Sequence, residues 1–162
     1  MNKITLLLPP DAMTRISTMS GGIDIDKLTP SIFSAQITEI KRVLTPALYN
    51  KIVFAYETDT LVGNYKIIWE DYVIDMLAYW SVRDYIKIGS FSIGNSGIFK
   101  NTPDNVTLPD YSEIMKLADH YGYLGHSIEN LFLDFMKTIT IPEYPSGTVD
   151  SQKGSSGLNM YF

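Results

Sequence analysis

Ile114, Ala118, Tyr121, Gly125, Ile128, Phe132, Phe135 and Ile139 recur in alternating steps of four and three, and Leu117, Leu124 and Leu131 flank that seam at intervals of seven. Only an α-helix returns such positions to one side, so the spacing predicts a single long amphipathic helix. Asp110 and Glu113 have capping-box spacing just ahead of it, and Pro142 and Pro145 lie beyond its end. Gly122 to Gly125 is a place for it to bend, each glycine costing about 1 kcal/mol relative to alanine. Whatever else the chain does, it must pack helices against this one.

Earlier segments supply them. Thr29-Pro30 reads as a helix start, because Thr caps well and Pro is tolerated at the first helical position. Phe33, Ile37, Ile40 and Leu44 follow at helical spacing, with Gln36, Glu39, Lys41 and Arg42 between them. Thr45-Pro46 repeats the start signal ahead of Leu48, Tyr49, Ile52, Val53 and Tyr56, so two helices meet at a corner. The segment 65–87 carries Ile68, Trp69, Tyr72, Val73, Met76, Leu77 and Trp80 around most of its circumference. Such a helix is central in its fold or is covered by a partner. Phe91-Ser92-Ile93 and Ile98-Phe99 alternate about a Gly/Asn turn, which predicts a small β-hairpin at about 90–100.

The expected fold is mainly α: a four-helix bundle with a small β-hairpin and extended N- and C-terminal arms. Residues 1–28 read as an arm, 29–141 as the helical domain, and 142–162 as a flexible tail ending in an apolar hook. A length of 162 residues suits one domain, which buries about 70% of its unfolded surface and needs no staples.

Composition removes several chemistries. The absence of cysteine excludes thiol nucleophiles, thiolate zinc sites and iron–sulfur clusters. Thirteen Lys+Arg against eighteen Asp+Glu, a net charge of -5, argue against a general nucleic-acid binder. Lys3 and the apolar run Ile4 to Leu8 are stopped by Pro9-Pro10, too soon for a signal peptide, and no stretch approaches the roughly 20 apolar residues of a membrane span. A soluble, unexported chain is expected.

His120 and His126 are six apart, about 240° around a helix, and cannot share a metal ion from it. His126 and Glu129 stand three apart, but carboxylate-bundle metal sites place Glu before His and need further carboxylates. Asp71 and Asp75, one turn apart beside Glu70, read as a solvated stripe; with His126 they are the basis of the alternative, a small helical carboxylate or metal enzyme. Asp24 and Asp26 lack the later glycine and glutamate of a calcium loop, and Gly89, Gly94 and Gly97 precede no phosphate-cradling helix. No serine elbow occurs. Catalytic and metal residues and cofactors are therefore assigned as none, and the chain is not expected to be an enzyme.

The ends depart from this pattern. Ile4, Leu6 and Leu8 alternate with their neighbours, as do Leu158, Met160 and Phe162 around Tyr161, after a Gly/Ser-rich spacer over 146–157. A lone apolar strand leaves its backbone groups unpaired, so these segments are expected to add to another chain's sheet or groove. Folding back on their own domain, in a monomeric binding module, is the other possibility.

Ala35-Gln36, Ile40, Leu44, Leu48-Tyr49 and Ile52 resemble the opening of the head-to-tail connector, or adaptor, proteins of tailed bacteriophages. Tyr72 to Trp80 is similar to their central helix, and Phe91 to Phe99 around Asn95-Ser96-Gly97 to their hairpin. Within that group the chain looks closest to the neck ring proteins of crAss-like phages. The resemblance covers about residues 30–138 and carries no catalytic residues. It implies a ring of twelve copies that contacts the portal and an adjacent neck or tail protein, with DNA passing through without specific binding and no membrane involved. It also implies a location in the virion neck, and in the host cytoplasm during assembly. The partner-binding residues expected on this reading are Ile4, Leu6, Leu8, Phe91, Ile93, Ile98, Phe99, Leu158, Met160, Tyr161 and Phe162.

Overall fold

A computed structural model describes residues 5–9, 12–16, 25–89, 91–94, 97–100 and 110–145. The chain is mainly α-helical. Helix α1 (Ala12–Ile16) precedes α2 (Ile25–Ala35), which continues through a π-helical turn (Gln36–Ile40) into α3 (Lys41–Glu57). Helix α4 (Gly63–Ile67) continues through a second π-helical turn (Ile68–Val73) into α5 (Ile74–Ile88). Two short antiparallel strands, β1 (Phe91–Gly94) and β2 (Gly97–Lys100), pair from Phe91↔Lys100 to Gly94↔Gly97. Helix α6 (Tyr111–Met136) opens on a capping box: the Asp110 carboxylate accepts from the Glu113 N–H at 2.8 Å, and the Glu113 carboxylate from the Asp110 N–H at 2.9 Å.

Helix α5 lies at the centre, with α6 along one side and α2 and α1 on others. Its Met76, Leu77, Ala78 and Trp80 are fully buried. The chain itself therefore covers most of the apolar circumference of this segment, leaving Trp69, Tyr72 and Tyr79 half-buried. Both π-helical turns fit that burial. Ala35 and Ile40, and likewise Ile68 and Val73, are five apart and wholly buried, a step that the wider turn brings back to one face.

Helix α6 runs unbroken past Gly122 and Gly125. A Cβ at residue 125 would stand 2.7 Å from the indole Cδ1 of Trp80, so glycine here permits close approach of two helices rather than a bend.

Three expectations are corrected. Residues 5–9 and 12–16 are not a free arm: Leu7, Leu8, Ala12 and Met13 belong to the core. Helix α2 begins at Ile25, with Pro30 inside it, because Leu28 and Ile32 are both buried and draw the preceding turn onto α5. The helix forgoes one backbone hydrogen bond at Pro30. Residues 142–145 are not tail: Ile141 and Tyr144 form an antiparallel bridge and are buried, and the Tyr144 hydroxyl donates to the Val43 carbonyl at 3.4 Å. Burial raises the Tyr144 pKa to about 12, with the charge of Glu129 adding to the effect.

Helix α3 is broken at Thr45, whose φ of 66° and ψ of 155° lie where β-branched residues are strained by about 1–3 kcal/mol. Pro46 keeps Thr45 out of the helical region, and the Thr45 hydroxyl donates to the Glu143 carbonyl at 3.3 Å.

Candidate interaction surface

Two buried polar side chains decide which parts of the molecule are left to face a partner. The first is Gln36, wholly buried on the first π-helical turn. Its Oε1 accepts from the Leu7 N–H at 2.7 Å, and its Nε2 donates to the Thr5 carbonyl at 2.8 Å and to the Tyr49 hydroxyl at 3.0 Å. From the other side Trp69 Nε1 donates to the Leu7 carbonyl at 3.0 Å. The Thr5 hydroxyl bonds Glu57. Side chains thus do for the extended segment what a neighbouring strand would do, which removes the backbone argument for docking it elsewhere. Leu8 is buried and so withdrawn from a second molecule, whereas Leu6 is half-buried against the same core and keeps part of its surface outside. Ile4 lies outside the described residues.

The second is Glu129 on α6, 1% exposed. Arg42 grips both its oxygens, at 2.8 and 3.1 Å, and His126 Nδ1 lies 2.8 Å from Oε2. Arg42 also pairs with Glu39 at 3.2 Å, and Arg83 joins Glu39 at 3.0 Å to Asp84 at 2.8 Å. The result is one alternating chain of charge, Asp84–Arg83–Glu39–Arg42–Glu129, hydrogen-bonded at its end to His126, that ties α3, α5 and α6 together. Burial alone would push the Glu129 pKa up, but the hydrogen bonds from His126 and Arg42 outweigh it and hold the carboxyl below its ordinary 4.5. Arg42 and Arg83 are raised, because their carboxylate partners outweigh burial.

Of the residues of the enzyme alternative, Asp71 and Asp75 are near enough to interact, whereas His126 is bonded to Glu129. Glu70 is exposed and pairs loosely with Lys66 at 3.7 Å, Asp71 is exposed, and His126 belongs to the Glu129 cluster. Asp75 is half-buried and its pKa is raised, burial and Asp71 outweighing the attraction of Arg15. Among the described residues no group of three or more His, Asp or Glu is placed to hold a metal ion. No helix among them is long and apolar enough to cross a membrane.

Among the described residues, one apolar band faces outward on α6. Leu117 and Leu131 are 47% and 58% exposed, with Leu124, Ile128 and Phe135 half-buried beside them. These positions lie on one side of the helix over about 27 Å. At one end of the band Phe135 stacks on the half-buried Tyr72 of the second π-helical turn at 5.2 Å. Phe91, Ile93, Ile98 and Phe99 occupy the paired strands, and Leu158, Met160, Tyr161 and Phe162 lie outside the described residues.

Residues 40–149 match the model of a family of unknown function, DUF6712. The chain belongs to this family. The DUF6712 match takes in α3 to α6, the paired strands, the apolar band and all of the charge chain except Glu39, and it leaves out Gln36 and the segment that Gln36 holds. No curated protein and no solved structure matches the chain.

Proposed function

We propose that this protein is a structural component of a tailed-phage virion, one subunit of a ring in the neck that joins the portal to the tail or to the next neck component. The observation that carries the reading is the α6 band. A chain that buries Leu7, Leu8 and the Met76, Leu77, Ala78 and Trp80 side chains of α5 within itself nevertheless leaves Leu117 and Leu131 about half exposed to water. A row of this length, joined at one end by Tyr72, is what a lateral contact between like subunits covers.

The remaining features accord with it. The two limbs of α2–α3, the α4–α5 segment and α6, with the paired strands between, accord with a connector-like four-helix body with a hairpin. In a ring of twelve, the hairpin with Phe91, Ile93, Ile98 and Phe99 reaches the portal or a neighbour, and Leu158 to Phe162 reaches the adjacent ring or tail protein. The net charge of -5 suits a channel through which DNA slides without adhering.

The direct experiment is an amber mutation of the gene in the phage that carries it, with mass spectrometry of the wild-type particles. The expected result is the protein in wild-type virions, and DNA-filled heads separated from tails in the mutant. Its absence from virions would overturn the reading.

A further inference from the structure

A groove of about 520 Å³ opens between the end of α3 and the second π-helical turn, lined by Ala55, Tyr56, Asp59, Leu61, Lys66, Trp69 and Glu70. We infer that this groove is the receptor for residues Leu158–Phe162 of the same chain.

The walls match the segment. Ala55, Tyr56, Leu61 and Trp69 are apolar, and the Tyr56 and Trp69 rings lie 5.1 Å apart. Asp59, Lys66 and Glu70 supply polar groups. An extended segment with Leu158, Met160 and Phe162 on one side and Asn159 and Tyr161 on the other presents the same two faces. Methionine suits the aromatic pair, since thioether sulfur packs favourably at ring edges. A few side chains fill a volume of this size.

The chain is also delivered there. The Glu143 carboxylate accepts from the Tyr65 hydroxyl at 2.7 Å, and Lys66 and Trp69 follow Tyr65 within about one helical turn. From Pro145 the spacer 146–157, with Gly147, Gly154 and Gly157, has a root-mean-square span of about 19 Å. Such a tether holds the apolar segment at millimolar effective concentration beside its own groove. On the ring reading this is where the hook rests before it transfers to a partner; the groove contact itself does not depend on that reading.

Trp69 reports the contact, because the other tryptophan, Trp80, is wholly buried. Ending the chain after Gly157 should red-shift Trp69 emission and raise its quenching by acrylamide, with hydrogen exchange at Leu7 unchanged. A peptide spanning Gly157–Phe162, added to the shortened protein, should reverse both changes. The same peptide carrying Met160→Asp should bind at least about tenfold more weakly, because it would bury a charge. This variation lies in the peptide, so the fold of the protein is not at issue. Trp69 emission and quenching indifferent to removal of the last five residues, or equal binding of the two peptides, would overturn the assignment. So would loosening of Leu7, which would mean the residues had acted on the core.

Discussion

Gln36 and Glu129 are both buried polar side chains with three hydrogen-bonding contacts or more, yet they secure different things by different physics. Gln36 is neutral and satisfies the backbone of a segment that has no sheet to join. Glu129 is charged, compensated by Arg42 and hydrogen-bonded to His126, and ties helices that already pack through apolar faces. Glu129 lies within the residues that match DUF6712, whereas Gln36 and the segment it holds lie before them. An uncharged anchor adds an element without making it depend on pH or salt; a charged one fixes the mutual orientation of helices and makes that orientation titratable.

Removing Glu129 tests the contrast hardest. Glu129→Ala should cost about 3 kcal/mol in urea unfolding at neutral pH, since it strips Arg42 of its bidentate partner inside the body. A loss under about 1 kcal/mol would mean that apolar packing alone sets the helix arrangement. Gln36→Ala comes next, at about 2 kcal/mol, because it leaves the Leu7 N–H and the Thr5 carbonyl without partners. Its signature is local: hydrogen exchange should speed up over residues 5–9 while α6 stays protected. Uniform acceleration would erase the distinction between the two anchors.

Acid separates them further. The folded-state pKa of Glu129 lies below its ordinary 4.5, so its contribution is complete above that value and drains away as pH falls through the lowered one. The urea midpoint should therefore drop on acidification, with a shallower drop in Glu129→Gln. Gln36→Glu should show the opposite sign. A carboxyl buried there has a raised pKa, and only its protonated form donates to the Thr5 carbonyl, so stability should be highest in acid and fall as pH rises through that value. Thr45→Gly should stabilise by about 1 kcal/mol, relief at φ 66° exceeding the loss of a 3.3 Å hydrogen bond to Glu143. The smallest effect belongs to the exposed pair: Lys66→Ala should change stability by under about 0.5 kcal/mol.

Much of the helical body was legible because its signals are local. The capping box at Asp110 and Glu113, the seam of α6 and the break at Thr45-Pro46 each depend on residues close together in the chain. The N-terminal segment was not legible, since its partners are Gln36 and Trp69, far along the chain, and an apolar run carries no mark of whether it docks at home. Pro30 misled for a related reason: its tolerance at a first turn hid the tertiary burial of Leu28 that starts α2 earlier. The five-residue step from Ile68 to Val73 was a visible clue to the second π-helical turn. Of the candidate surface, the leucines at intervals of seven were plain in the sequence, but not that Leu117 and Leu131 would be left outside the core.

Those leucines offer the most direct test of assembly. The chain has no cysteine, so Leu131→Cys places a single reporter on the α6 band. On the proposed ring reading, maleimide labelling should be rapid on the isolated protein and strongly suppressed in intact particles, because a neighbouring subunit would cover the site. Equal labelling in both would leave the band uncovered in the virion and contradict the account.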